Sequence, residues 1–352
     1  MKKLLALCLL ILTILSCLCG CSGSTLSDTV IAAEDAGLIV HYIDVGQGDS
    51  TLLQSDGKFA LIDGGEYSES TGLISYLSSQ GVEELEFIIS THPHSDHCGS
   101  LADVIRNFDT KTLICPAVES DTSAWEYTMD AADERGVSYT NPTPGDKFTV
   151  GSTTVTVFSP AADAEYEDLN DYSIVCKAEY KDTAFLFTGD ATKEVETSLL
   201  ESGFDLSADI LKCGHHGSYT SSSKKFIEAV NPSAAIISCG ENNEYGHPHQ
   251  DTLDTLAQRN IPVYRTDTEG TIVVSSNGEK VYVSTAEIAT QAVETPVTSN
   301  KATDYIGNKN SKIFHESDCS SVGKMSEKNK VKFSNRQEAV DSGYTPCGSC
   351  EP

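Results

Sequence analysis

Basic residues are scarce in this sequence: 24 Lys and Arg stand against 52 Asp and Glu, a formal net charge of −28. A surface of that sign excludes a nonspecific electrostatic grip on nucleic acid, which depends on Lys and Arg releasing the polyanion's counterions. Any nucleic-acid chemistry must lean on metal ions instead. Also lacking is an apolar run of the roughly 20 residues needed to span a bilayer; the N-terminal stretch from Leu4 to Leu18 falls short of it. No repeat of fixed period is visible. No disulfide framework is readable either. Of the 12 cysteines, Cys8, Cys17, Cys19 and Cys21 lie in the leader and Cys319, Cys347 and Cys350 in the tail. Cys98, Cys115, Cys176, Cys213 and Cys239 sit apart in apolar surroundings, where a lone cysteine acts as a small core residue.

What is present begins with a leader. Lys2 and Lys3 precede the short apolar run, and Gly20-Cys21 is followed by the small polar Ser22-Gly23-Ser24, the pattern of an export signal over residues 1–21. Leu18-Cys19-Gly20-Cys21 resembles a bacterial lipobox. That resemblance implies acylation of Cys21 and anchoring to the outer face of the cell membrane. Ile14-Leu15-Ser16-Cys17 is a poorer second candidate, and cleavage without lipid is the alternative. Residues 22–36 lack aromatic anchors and read as a tether.

The chain has 352 residues, enough for one large core and a second unit of about fifty. From residue 37 to 285, apolar strand-like runs alternate with turn clusters and amphipathic segments. Strands are expected at Leu38–Val45, Thr51–Gln54, Phe59–Ile62, Phe87–Ser90, Thr112–Cys115, Thr153–Phe158, Ile174–Ala178, Ala184–Phe187, Ile210–Cys213, Ala234–Ser238 and Thr271–Ser275. Helices are expected at Thr71–Gln80, Leu101–Phe108, Ala124–Arg135, Lys193–Glu201, Lys224–Val230 and Thr252–Asn260. The mixture predicts an α+β fold with two sheets sandwiched between helix layers. Residues 286–303 lose all periodicity and read as a linker to a tail, 304–352.

The strongest chemical signal is Thr91-His92-Pro93-His94-Ser95-Asp96-His97, directly after a strand. Imidazoles and carboxylates are ligands for borderline divalent ions, and potential ligands this closely spaced at a strand end converge on one small volume. Downstream, Phe187-Thr188-Gly189-Asp190 and Cys213-Gly214-His215-His216 also follow apolar strands. Together these elements resemble the metallo-β-lactamase superfamily and its HxHxDH signature, whose fold is a four-layer αββα sandwich. The resemblance implies that His92 and His94 bind a first metal, Asp96 and His97 a second, and that Asp190 bridges them. His216 is the preferred further ligand for the second metal, with His215 the alternative or a neighbour orienting it. The ions would be two divalent cations, zinc or manganese.

Other segments narrow the resemblance to the ComEC-like competence branch. His41-Tyr42-Ile43-Asp44-Val45-Gly46-Gln47-Gly48-Asp49-Ser50 and Leu61-Ile62-Asp63-Gly64-Gly65 look like that branch's opening, with Asp49 and Asp63 as acceptors behind the ligands. No histidine lies between His97 and His215, so the third histidine of many superfamily members is missing. Asn170-Asp171-Tyr172-Ser173 stands in its place, and a water or Asn170 would fill the gap. Tyr245-Gly246-His247-Pro248-His249 is similar to a His-Pro element of the branch; His247 either reaches a phosphate oxygen or donates a proton, or is an exposed loop histidine. The implied activity is extracellular phosphodiester hydrolysis, on DNA or another phosphodiester polymer, by a hydroxide that two metals hold between them, with Asp96 and His247 as the residues nearest the chemistry. A cell-wall or phosphocholine phosphodiester is the alternative substrate, and a non-catalytic DNA-binding surface protein the alternative class. No protein partner is identifiable.

In the tail, His315 and Cys319 are paired closely, as are Cys347 and Cys350, a layout suited to one structural zinc. Gly343-Tyr344-Thr345-Pro346-Cys347-Gly348-Ser349-Cys350 resembles the end of the Ada-type zinc module. His315 stands where that family has its reactive cysteine, so methyl transfer is not implied. Disulfide pairing of the thiols is the alternative.

Overall fold

The computed structural model describes residues 36–161, 164–285, 305–317, 319–333, 339–340, 342–347 and 350. The leader with Cys21, the tether up to residue 35 and the linker lie outside the described residues. Two compact units, Met1–Thr290 and Gln291–Pro352, divide the chain.

The larger unit holds two mixed sheets. The first opens with β1 (Leu38–Tyr42), β2 (Thr51–Ser55), β3 (Lys58–Ile62), β4 (Glu84–Ile89), β5 (Asp109–Thr110), β6 (Thr112–Ile114) and β7 (Ser138–Thr140). The second is built from β8 (Lys147–Val150), β9 (Thr153–Ser159), β10 (Val175–Tyr180), β11 (Thr183–Phe187), β12 (Ile210–Lys212), β13 (Ala234–Ile237) and β14 (Val263–Arg265). The chain then returns to the first sheet through β15 (Ile272–Ser276) and β16 (Val281–Ser284). Spatial orders are β16-β15-β1-β2-β3-β4-β6-β7, with β5 beside β4, and β14-β13-β12-β11-β10-β9-β8. β3, β4 and β6 run parallel, as do β11, β12 and β13.

Strand alternation builds the layers. Successive side chains point to opposite faces, and here both faces are apolar. In β12 and β13, Ile210, Ala234 and Ile236 join Val40, Val157 and Phe187 between the sheets. Their neighbours Leu211, Ala235 and Ile237 meet an outer helix layer with Leu199, Phe226 and Leu256. That layer carries α5 (Lys193–Glu201), α6 (Lys224–Val230) and α7 (Gln250–Ala257). Over the first sheet lie α1 (Ser70–Ser79), α3 (Leu101–Asn107) and α4 (Ser123–Arg135), with α2 (Ser95–Cys98) as a single turn after β4. Leu77, Leu101 and Trp125 pack there onto Leu61 and Ile88. The result is helix, sheet, sheet, helix, and each fully buried Leu, Ile or Phe stabilises it by about 1.5–3 kcal/mol.

Local chemistry sets the helix ends. The Thr192 hydroxyl accepts the Glu194 N–H at 3.2 Å and opens α5. Gly136, at φ 66°, closes α4 in the left-handed region that a side chain would disfavour. Several expected boundaries shift: β1 stops at Tyr42 rather than running to Val45, β4 begins at Glu84 rather than Phe87, and α7 begins at Gln250 and ends at Ala257.

The tail unit is a small sheet in the order β19-β17-β18-β20, from β17 (Tyr305–Asn308), β18 (Ile313–Glu316), β19 (Lys330–Phe333) and β20 (Thr345–Pro346). Among the described residues its core is Phe314, Phe333, Ala339 and Tyr344, with Tyr305 and Val331 packed against them. A core that small needs a staple.

Candidate metal centre

The chemistry-bearing residues leave the carboxyl ends of the parallel strands in both sheets. Asp63 follows β3, His92 to His97 follow β4, Asp190 follows β11, His215 and His216 follow β12, and Ser238 follows β13. Gly48 lets the loop after β1 lie against α2, because a Cβ there would stand 2.5 Å from the Asp96 carbonyl oxygen. The neighbouring Asp49 N–H donates to that same oxygen at 3.0 Å.

One set of donor atoms converges. His92 Nε2 lies 3.0 Å from His94 Nδ1. His97 Nε2 lies 3.2 Å from Asp190 Oδ1, and His216 Nε2 lies 3.1 Å from Asp96 Oδ2 and 3.4 Å from Asp190 Oδ2. His97 Nε2 and Asp190 Oδ1 are buried and lack any hydrogen-bond partner, so they face one another without bonding. Two ligands held at 2.0–2.1 Å on a tetrahedral ion stand roughly 3.3 Å apart. The donor spacing therefore fits a divalent cation, and Asp49, His97, Asp190 and His216 form a cluster of ligand atoms within 4.8 Å.

Charge points the same way. Asp49, Asp63, Asp96 and Asp190 surround the centre while Lys212 is the buried cation among them, leaving a negative excess that only protons or metal ions can balance. Burial alone would lower the His97 and His216 imidazoles, but the carboxylates outweigh it: Asp190, Asp63 and Asp96 hold His97 well above its ordinary value, and Asp190 and Asp49 do so for His216. Burial would raise Asp190 and Asp96, yet the same imidazoles keep both carboxylates well below their usual range. His92 is driven the other way by burial and by His97, so its ring is neutral and offers a lone pair.

Each ligand ring is backed on its far side. Asp63 Oδ2 accepts from His97 Nδ1 at 2.8 Å, and Asp63 in turn accepts the Thr91 N–H at 2.8 Å and the Thr91 hydroxyl at 2.7 Å. His216 Nδ1 faces the Ser238 carbonyl oxygen at 3.1 Å and Asp49 Oδ1 at 3.3 Å. Both neighbours are acceptors, which fixes the proton on Nδ1 and leaves Nε2 for the metal. Asp49 thus meets the side of His216 that points away from Asp190.

The adjacent histidines separate cleanly. Both stand in the left-handed region, His215 at φ 51° and His216 at φ 53°, a conformation that costs of order 1–3 kcal/mol for such a residue. The reversal turns His216 inward, 1% exposed, among the carboxylates. His215 turns outward; its Nδ1 contacts the Thr220 hydroxyl at 3.0 Å and its Nε2 stands 3.7 Å from Asp190.

In the position of the missing histidine, the Ser173 hydroxyl accepts the Asp190 N–H at 3.0 Å and lies 3.4 Å from His92 Nδ1. Asn170 is buried with Oδ1 unpartnered and lines a cavity of about 470 Å³ with His94, Asp96, Asp190 and His215. His247 lines it too, stacked on Tyr245 at 5.6 Å, its backbone N–H held by the Asn243 side chain at 2.9 Å. Sequence reasoning passed over Lys212. A lysine inside the apolar run Ile210-Leu211-Lys212-Cys213 was the available signal, since lysine is rarely buried without a partner.

Residues 43–241, more than half of the chain, match the Metallo-beta-lactamase superfamily. The chain belongs to that superfamily. Among curated proteins it is similar to ComE operon protein 3 of Bacillus subtilis, 34% identical over a 251-residue alignment that covers 66% of this chain and 32% of that protein. It is also similar to Competence protein ComA of Neisseria gonorrhoeae, 29% identical over 65% of this chain and 31% of that one. The chain thus spans about a third of the length of these relatives. Among solved structures it resembles the metallo-beta-lactamase fold protein YhfI from Bacillus subtilis at 13% identity and a TM-score of 0.47, over 68% of this chain and 100% of that one.

The tail carries a separate cluster. Ligand atoms of His315, Cys319, Cys347 and Cys350 lie within 4.8 Å of one another, with Cys319 Sγ 3.5 Å from His315 Nδ1. Sulfur at 2.3 Å and nitrogen at 2.0–2.1 Å on a tetrahedral zinc stand roughly 3.6 Å apart. The donor set and spacing suit zinc.

Proposed function

We propose that the chain is a phosphodiesterase that uses two divalent ions to cut nucleic acid outside the cell. The observation that carries this reading is the set of donor pairs at the floor of an open cavity, in a superfamily member whose relatives are named for competence. His92 and His94 would hold one ion, Asp96, His97 and His216 the other, and Asp190 would serve both. Bound there, such ions supply Lewis acidity toward a phosphoryl oxygen and lower the pKa of water toward neutrality.

The chain's own residues do the rest. Asp96, kept ionised by His97 and His216, cannot act as an acid and is available to hold a metal. His247 is lowered to about 4 by burial and by the nearby His216 and His215, so near neutral pH it is uncharged. It therefore suits hydrogen bonding to a phosphoryl oxygen better than proton donation to a leaving group. Asn170 faces the same cavity and offers its amide to the substrate or to the first ion.

A second reading, hydrolysis of a cell-wall or phosphocholine phosphodiester, is favoured by one observation. The adjoining cavity of about 370 Å³ is lined by Glu66, Glu69 and Glu244 without a lysine or arginine, which repels a polyanion and welcomes a cationic head group. Turnover of linear DNA, a phosphocholine diester and bis(p-nitrophenyl) phosphate separates the readings. Cleavage of the small diester together with DNA supports the first, whereas cleavage of the phosphocholine ester alone replaces it. We also read the chain as exported and lipid-anchored through Cys21. No helix among the described residues is long and apolar enough to cross a membrane. Clickable fatty acid should label the wild type and not Cys21→Ser.

A further inference from the structure

Lys212 is a buried charge beside the metal centre without a task in the proposed chemistry. It is 2% exposed, and its ammonium donates to Asp49 Oδ2 at 2.5 Å and to the Cys213 carbonyl oxygen at 2.8 Å. A buried ion pair is a weak source of stability, since apolar residues of similar volume commonly do as well. Its position is informative: Asp49 belongs to the ligand cluster by distance, yet it contributes to the far side of His216.

The two backing carboxylates differ. Asp63 is held on both oxygens, by the Thr91 N–H on Oδ1 and by the Thr91 hydroxyl and His97 Nδ1 on Oδ2, so it is fixed in place behind His97. Asp49 Oδ1 is buried with no hydrogen-bond partner, although His216 Nδ1 stands 3.3 Å away. Its hold on His216 is the attraction across that 3.3 Å contact, looser than the 2.5 Å contact of Oδ2 with Lys212, so without Lys212 the carboxylate is free to swing to a divalent ion. Only Oδ2 is tied, by Lys212.

We propose that Lys212 is a positioning residue of the metal centre: it anchors Asp49 behind His216 and keeps that carboxylate out of the ligand set. A centre with Asp49 recruited would gain an oxygen ligand, expand its coordination and shift toward hard ions. Lys212 thereby sets which ion the site prefers as well as how His216 is aimed. The inference rests on the metal-centre reading, and its test reads binding, so it stands or falls separately from phosphodiesterase activity.

The test is Co²⁺ titration of the full-length protein after metal removal, followed by visible absorption, which reports ligand number and type. Co²⁺ held by the tail thiolates absorbs in the visible as well, so the spectra are compared as the difference between Lys212→Met and wild type, in which the tail's bands cancel. Lys212→Met should raise the number of ligands that Co²⁺ reports at the imidazole–carboxylate site, because Asp49 is no longer held behind His216. Its visible bands should fade as coordination expands. Asp49→Asn in the Lys212→Met background should restore the wild-type bands, because the intruding carboxylate is gone. A Lys212→Met protein with the wild-type spectrum would overturn the proposal. If Lys212→Met does not fold, Asp49→Asn alone decides: an unchanged spectrum supports a non-ligand Asp49, and a changed one shows that Asp49 was a ligand with Lys212 in place.

Discussion

At the scale of single residues, the centre depends on which nitrogen of each ring faces where. His216 is protonated on Nδ1 by its contacts with the Ser238 carbonyl and Asp49, and it turns Nε2 to Asp96 and Asp190. His215, next in the chain, presents Nε2 to the cavity. Substituting each by alanine should therefore give different defects. His216→Ala should lower affinity for one ion by at least tenfold and remove turnover with it, whereas His215→Ala should keep its metal content and lose mainly kcat. Metal analysis beside steady-state kinetics checks this, and a metal-depleted His215→Ala with a metal-replete His216→Ala would reverse the assignment. Spacing along the chain could not have separated the two neighbours. The pair of left-handed backbone angles does, and no pattern of residue types announces them. His92, His94, Asp96 and His97 could be singled out from the sequence as ligand candidates because they are local in it. The Lys212–Asp49 contact was not, because its partners lie on β12 and on the loop after β1.

At the scale of elements, the interior strands and most of the helices were legible, and several of the misses share a cause. The strands that sequence patterning passed over include β7, β8, β14 and β16, and these are the four edges of the two sheets. An edge strand bonds on one side only and is free to carry polar or half-exposed residues. Ser138-Tyr139-Thr140 in β7 and Val263-Tyr264-Arg265 in β14 accordingly lack a fully buried member. Within the interior, β1 contains a titratable exception. His41 is 4% exposed, its Nδ1 lies 2.8 Å from the Tyr76 hydroxyl, and burial pushes its pKa down to about 4. The unfolded chain, with an ordinary histidine near 6.5, binds the proton more readily, so stability is complete above that value and falls as pH drops toward 4. The loss attributable to this ring is at most about 3 kcal/mol, from the roughly 1.4 kcal/mol per pKa unit. Urea melts at pH 7 and pH 4.5 check it: the stability gap between wild type and His41→Gln should narrow at the lower pH. A gap that is constant or widens would show that His41 is not held neutral by the fold.

At the scale of the whole molecule, two units rely on metal for different reasons. The larger one has extensive cores on both faces of each sheet and should keep its fold without ions. The tail, with Phe314, Phe333, Ala339 and Tyr344 for a core, cannot offset chain entropy without the Cys and His cluster. Under reducing conditions a strong chelator should collapse the dispersed NMR signals of the tail and leave those of the larger unit, and a tail that stays folded would remove the zinc assignment. The central claim is that the larger unit hydrolyses phosphodiesters only with its ions in place, and it is tested most directly by returning metal stepwise to chelated protein while hydrolysis of bis(p-nitrophenyl) phosphate is followed. The account predicts no turnover in the apoprotein, full turnover when two equivalents beyond the one held by the tail are bound, and none at any loading in Asp190→Ala; hydrolysis that survives metal removal, or that Asp190→Ala retains, would contradict it.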